Sequence, residues 1–310
     1  MIHQIVPAAL SYRDGVTLFC FGDLQSDAPG FDRAAWEEFK DRFKSTPNAY
    51  GLGLGDYGDF VRPSQRARIL AALAHDDSTH AQVDDQVRRV QDKLLDEMQF
   101  LEGRLVGLHT GHHVWTFRDG SNSDMRIASA LKAKYLGWVA STRLSLGRPT
   151  DKVNTFSYTV VSTHGSGSSR KIGGTVNWLE GNIAQSFICD HVVMGHACKS
   201  ATAVAPERQI VRRHGPAGLE QQVTRCTLVG GFHRGYTDGW ETSYVERAGF
   251  SPQPVMWGVI RIKLVQRKAN SVAKSTLLSQ TGTLGRSRHY SPALDVESFP
   301  QGPAFRPQGS

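Results

Sequence analysis

The sequence predicts an α/β fold with one largely parallel sheet and a second sheet completed by antiparallel strands. Three observations carry this. Up to Cys198, β-prone runs alternate with stretches of helical period. Five of those runs stop at a short polar motif: Gly22-Asp23-Leu24-Gln25, Gly55-Asp56-Tyr57-Gly58-Asp59, Gly111-His112-His113, Thr163-His164-Gly165 and Gly195-His196-Ala197-Cys198. After the last motif, strands follow one another without a long helix between them. In an open α/β sheet the carboxyl ends of the strands line one crevice, so motifs distant in sequence are expected to converge there.

Taken in order, Val16–Phe21 is rich in β-branched and aromatic residues with no helical period, which predicts a buried strand. Residues 31–43 place Ala35, Trp36, Phe39 and Phe43 on one helical face, and residues 48–54 form the next strand. Strand, helix, strand implies a right-handed parallel crossover. Residues 61–101 have helical period, with Val87, Val90, Leu94, Met98 and Leu101 three or four apart. The polar knot His75-Asp76-Asp77-Ser78 is expected to divide two helices, with His75 and His80 at the surface.

Leu105–His109 predicts a strand. Residues 124–138 predict a helix with Ile127, Leu131, Tyr135 and Trp138 facing inward. Phe156–Thr163 is the next strand, 174–187 a helix through Val176, Leu179, Ile183 and Phe187, and His191–Met194 the strand that closes at Gly195-His196. Residues 225–229 and 255–264 read as the antiparallel strands of the second sheet. From Gln266 small polar residues, Gly and Pro dominate. The expected organisation is one domain over 1–265 and a basic, flexible tail over 266–310.

A chain of 310 residues with 39% hydrophobic residues can bury a full core. Its first residues have no basic flank leading into a long apolar stretch, and no run approaches the roughly 20 apolar residues that span a bilayer. The expected location is the cytoplasm, with no membrane partner. Four cysteines are too few for a disulfide framework. Cys20, Cys189 and Cys226 sit inside apolar runs as small buried hydrophobes, whereas Cys198 follows Gly195-His196 at a ligand position. The net charge of +7 is concentrated late: from Arg247 to Leu294 there are eight Lys or Arg and no Asp or Glu. Such a segment can lie along a phosphate backbone or simply be solvated.

Carboxylates, imidazoles and a thiol are the residue types that ligate metals. Two divalent cations about 3.5 to 4 Å apart can clamp a phosphate ester and bring a bridging water to hydroxide near neutral pH. Such a centre needs a carboxylate shared between the metals, a role Asp56 suits. Any one of these histidines alone reads as a hydrogen-bonded loop residue. Five strand-end motifs together favour a metal site.

In this order the motifs resemble those of the calcineurin-like metallophosphoesterases, whose pattern runs Asp-x-His, Gly-Asp, Gly-Asn-His, a lone His and Gly-His-x-His. The likeness is to the bacteriophage and bacterial type, on the His164-Gly-Ser-Gly linker, the helix after it and Val192-Val193-Met194-Gly195-His196. It implies a sandwich of two β-sheets flanked by helices, with the metal site at strand carboxyl ends, and the cytoplasm of a bacterial host if the chain is phage-encoded. It also implies hydrolysis of a phosphodiester, in a nucleotide or nucleic acid, by a metal-activated hydroxide. The cofactors implied are one or two divalent ions of manganese, zinc or iron.

Carried over by motif, Asp23, Gln25, Asp56 and Cys198 would hold a first metal, and Asp56, His112, His164 and His196 a second. His113 falls at the family's non-ligand histidine, a general acid. Three positions depart from the family's pattern. His112 replaces Asn and remains a competent ligand. Gln25 and Cys198 each replace His, both on the first metal. Either that site is retuned and weaker than the second, or Gln25 only hydrogen-bonds a metal-bound water and Cys198 packs against the sheet, leaving one ion.

Arg118, His233 and Arg234 are the candidate substrate-binding residues. Asp59, Asp119, Asn122 and Asp124 read as solvated loop residues. The partner expected is a phosphate-ester substrate, with DNA or RNA reached through the basic C-terminal segment. The alternative function is a catalytically weakened scaffold or nucleic-acid-binding module that keeps the phosphoesterase fold.

Overall fold

The computed structural model describes residues 2–5, 15–60, 68–69, 71, 77–146, 156–167, 169–206, 208–211, 219–268 and 290–302. Its strands are β1 (Ile2–Ile5), β2 (Val16–Phe21), β3 (Ala49–Gly53), β4 (Leu105–His109), β5 (Tyr135–Gly137), β6 (Val139–Leu146), β7 (Phe156–Thr163), β8 (His191–Met194), β9 (Ala201–Val204), β10 (Arg208–Val211), β11 (Leu219–Gln222), β12 (Arg225–Leu228), β13 (Trp257–Lys268) and β14 (Tyr290–Gln301). One six-stranded sheet has the order β14-β13-β2-β3-β4-β5, the other β1-β6-β7-β8-β12-β9, and β10 and β11 form a separate ribbon. From β2 to β5 the strands are parallel, while β13 and β14 join antiparallel at the edge. In the second sheet β7, β8 and β12 are parallel.

The two sheets face one another across a core that includes Leu18, Cys20, Leu52, Leu54, Val106, Val160, Val193 and Ile260. In β2 the alternate residues Phe19 and Phe21 point the other way, under Trp36, Phe39 and Phe43. Both faces of β2 are thus covered, which is why its sequence shows no polar alternation. The Arg33–Ser45 helix supplies that cover, burying Ala35, Trp36, Phe39 and Phe43. It begins where Asp32 Oδ1 accepts the Ala35 N–H at 3.0 Å. Over the second sheet, Leu179, Ile183 and Ala184 pack on Val161, Val192 and Met194. Each large apolar side chain taken fully from water contributes about 1.5–3 kcal/mol, so these faces fix the layers. The result is the expected α/β sandwich of two sheets flanked by helices.

Several expectations need correction. The helix over 124–138 is only Ser123–Ala130. Lys132 turns to φ 52° and the Ala133 N–H bonds back to the Ala128 carbonyl at 2.8 Å, a helix-ending geometry that propensity does not announce. Tyr135 then opens β5, and Trp138 is 49% exposed rather than inward. The 174–187 helix instead runs Ile172–Leu179 and continues as a π turn to Ala184, leaving Phe187 exposed. Asp77–Met98 is helical, with His80 packed edge-on against Trp115 and 3.8 Å from Asp84, while His75 lies outside the described residues.

The boundary at 265 falls inside β13, which runs to Lys268 and pairs over its whole length with β14. Residues 266–268 and 290–301 are therefore paired in the sheet; residues 269–289, with Lys274, Arg286 and Arg288, lie outside the described ones. Pro292 and Pro300 sit an even number of residues apart on an edge strand, where their missing N–H groups can face the open side. No helix among the described residues is long and apolar enough to cross a membrane.

Candidate metal centre

The loops that leave β2, β3, β4, β7 and β8 meet at one rim of the sandwich. Backbone and side-chain bonds tie them together: Asp23 N–H to the Gly55 carbonyl (3.0 Å) and Gln25 N–H to the Asp56 carbonyl (3.0 Å). His113 N–H donates to Asp56 Oδ1 and His196 N–H to Asp23 Oδ2, both at 2.9 Å. The chain bends sharply to achieve this. Of the nine non-glycine residues with positive φ among those described, five are Asp23 (49°), Gln25 (42°), Asp56 (55°), His196 (62°) and Cys198 (49°). Each such conformation costs about 1–3 kcal/mol, so the backbone strain of the described residues is concentrated in these rim loops.

At the centre, one ligand atom from each of Asp56, His112, His164 and His196 lies within 4.8 Å of all the others, a group that could hold a metal ion. The three imidazoles form a triangle with ring centroids 4.4 to 5.0 Å apart. His164, fully buried, sits 2.6 Å by Nδ1 from the Leu54 carbonyl. A carbonyl can only accept, so Nδ1 carries the proton and Nε2 is the ligand nitrogen. That Nε2 faces Asp56 Oδ2 at 3.3 Å, and a lone pair facing a carboxylate demands a cation or a proton between them. Two cations answer that demand: a metal ion, or the proton itself.

Protonation follows from the same geometry. Burial works to lower the His164 pKa, but the Asp56 carboxylate outweighs it and lifts it to about 9. Burial would raise Asp56, yet the His164 and His113 imidazoles hold it well below the usual carboxylate range. Burial and the neighbouring His164 and His112 push His196 down to about 4, so its ring is neutral and offers a lone pair at neutral pH. Three imidazoles and one carboxylate are a donor set that could hold a metal ion.

Asp23, Gln25 and Cys198 line the same cavity as this cluster, but Asp23 and Cys198 do not join its mutual grouping. Burial raises Asp23 to about 7, and burial with the adjacent Asp23 and Asp56 carboxylates raises the Cys198 thiol well above its ordinary value. His113 lies at the cavity edge with Nδ1 2.6 Å from Asp59 Oδ1 and Nε2 4.0 Å from Asp56 Oδ2. His233 also lines the cavity, 8% exposed, its pKa lowered chiefly by burial.

Arg118 and Arg234 are not among the cavity-lining residues. The Arg118 N–H bonds Asp84 Oδ2 at 3.1 Å, and the Arg234 guanidinium pairs with Asp32, the carboxylate that caps the Arg33–Ser45 helix. Arg234 is thus engaged by Asp32 and does not line this cavity.

Sequence reasoning also missed partners that only the fold supplies. Asp59 is not solvated but bonded to His113. Asp124, 1% exposed with its pKa raised by burial to about 6, accepts the Gly111 N–H (3.0 Å) and the Thr110 hydroxyl (2.9 Å), holding the His112 turn in place. The only sequence signal for Asp124 was its place just after Asn122, a helix N-cap.

The chain is similar to a calcineurin-like phosphoesterase. That solved structure is YfkN from Bacillus subtilis, with 10% sequence identity and a TM-score of 0.34 over 94% of this chain and 91% of that one. No family model matches the chain, and no curated protein matches it. At this level of likeness the chemistry of the rim rests on its own residues.

The protonation of His164 predicts a linkage. In the free protein its Nε2 holds a proton below about pH 9, and an ion taken up by the cluster must displace it. Zinc binding is therefore expected to release about one proton near neutrality, with apparent affinity rising about tenfold per pH unit and levelling above pH 9. Calorimetric titration in buffers of different ionisation enthalpy measures this directly; proton-free binding at pH 7 would place the ion elsewhere.

Proposed function

We propose that the chain is a metal-dependent phosphoesterase that hydrolyses a phosphodiester in a nucleotide or nucleic acid. The observation that carries this is the convergence of Asp56, His112, His164 and His196 beside a protonatable His113. A divalent cation held there supplies charge for a phosphate oxygen and lowers the pKa of a water molecule. Asp56, His112, His164 and His196 fix its position, with His164 held by the Leu54 carbonyl.

His113 is the proton donor to the leaving oxygen. Its Nδ1–H is engaged by Asp59, which leaves Nε2 turned toward the cluster. Burial opposes its charge, but Asp59 and Asp56 prevail and its pKa is raised, which favours the protonated form a donor needs. Hydrolysis of bis(p-nitrophenyl) phosphate with added manganese tests the reading. His113→Ala is expected to lower kcat by about 10²–10⁴-fold with the circular dichroism spectrum unchanged. A donor acts only while protonated, so the rate falls as pH rises through its pKa; Asp59→Asn removes a raising influence and should move that alkaline limb to lower pH. No turnover with manganese, zinc or iron would sink the proposal.

Asp23, Gln25 and Cys198 would hold a second ion more weakly. Burial keeps protons on the Asp23 carboxyl and the Cys198 thiol that an ion must displace, and Gln25 offers only a neutral amide oxygen. Equilibrium dialysis should retain one equivalent tightly and a second at least about tenfold more weakly. Two equivalents of equal affinity would contradict the asymmetry.

A further inference from the structure

The cavity over the histidine cluster encloses about 580 Å³, more than a phosphate group needs and within the range of small-molecule sites. Part of its lining comes from the segment that follows the Gly230-Gly231 corner, including Tyr244, Val245 and Phe250. Tyr244 opens the short Tyr244–Arg247 helical turn, and the Phe250 N–H bonds back to the Val245 carbonyl at 2.9 Å, folding the chain so that the two rings meet. Their centroids are 5.8 Å apart and their planes cross at 69°, an edge-to-face pair, and both rings line the cavity. Tyr244 is 57% exposed and Phe250 44% exposed, so neither ring closes a core. The same cavity is also lined by two cations, Arg170 and Lys199, the latter steadied by donating to the Ser169 carbonyl at 2.6 Å.

We infer that Tyr244 and Phe250 form a stacking platform for a nucleobase-sized planar ring carried by the phosphate ester, with Arg170 and Lys199 meeting its anionic oxygens. This rests on the phosphoesterase reading and narrows its substrate to one with a planar ring beside the phosphate. Aromatic faces and cations lining one cavity are what a base joined to a phosphate satisfies: stacking contributes about 1–3 kcal/mol per base, and the cations hold the charge.

The test uses manganese-loaded full-length protein and two slowly hydrolysed probes, adenosine 5′-monophosphorothioate and inorganic thiophosphate, with affinities measured by calorimetry. The nucleotide is expected to bind at least about tenfold tighter than thiophosphate. That ratio should collapse toward one in Tyr244→Ala and Phe250→Ala and survive in Tyr244→Phe and Phe250→Tyr. A ratio near one in the unaltered protein, or one kept in both alanine variants, overturns the platform while thiophosphate binding leaves the phosphoesterase reading standing. Failure of both probes to bind removes the reading beneath and the platform with it. A thiophosphorylated oligodeoxyadenylate run alongside separates the sources: tighter binding than the mononucleotide marks a strand end and weaker binding a free nucleotide, and either upholds the stacked base.

Discussion

Asp56→Asn is expected to cost about a thousandfold or more in metal affinity and to bring phosphodiester hydrolysis to background. Asparagine keeps the shape of the side chain and an oxygen for the His113 N–H, which Asp56 Oδ1 accepts at 2.9 Å, so the loop has no reason to move. What disappears is one negative charge, 3% exposed, that sits against three imidazoles. At an effective dielectric of about 20, opposite charges at contact distance attract by several kcal/mol, which is three decades or so in affinity. The same change releases His164 from the carboxylate that lifts its pKa to about 9, so the proton release predicted for metal binding should vanish with it. Isothermal titration of the variant reads both effects. Tight binding that persists in Asp56→Asn would show that the ion is not held by this carboxylate.

The positions of the candidate ligand side chains were legible because each strand stops at a polar residue that no sheet would bury unpaired. Val16–Phe21 ending at Asp23, and His191–Met194 ending at His196, are read from the pattern alone. Parallel strands then bring their carboxyl ends to one rim, and the four cluster ligands lie there together. The partners of those side chains were not legible, because pairing depends on the fold. Asp59 and His113 are 54 residues apart, and nothing local distinguishes Asp59 from a solvated loop carboxylate. The ion pair of Arg234 was hidden in the same way: its partner Asp32 lies 202 residues away.

Elements were lost for a different reason. Strands β9, β10, β11 and β12 have four residues each, too short for a period-two pattern to be counted. Of these only β12, which begins at Arg225, is an apolar run that betrayed itself. The long strand β14 has two prolines, which sequence reasoning takes as a sign against a strand but which an edge position tolerates.

Gly111→Ala should be the most damaging single methyl in the rim. A Cβ built there would lie 2.0 Å from Asp56 Oδ1 and 2.2 Å from the Asp56 backbone nitrogen. Neither neighbour can step aside. Asp56 is held at positive φ, and the Gly111 N–H is fastened to the buried Asp124 carboxylate at 3.0 Å. The clash must therefore push the His112 turn away from Asp56 and open the cluster. Overpacking of a rigid site costs about 3 kcal/mol. At roughly 2–4 °C per kcal/mol for a domain of this size, the melting temperature should fall by about 6–12 °C. Zinc affinity should fall with it, because two of the four ligands ride on the displaced loops. Gly173→Ala is the control: nothing lies within 4 Å of its Cβ and its helix favours alanine over glycine by about 0.5–1 kcal/mol. Differential scanning calorimetry with and without zinc separates the two variants. If Gly111→Ala melts like the unaltered protein and still gains stability on adding zinc, the close approach of these two loops is not what assembles the centre.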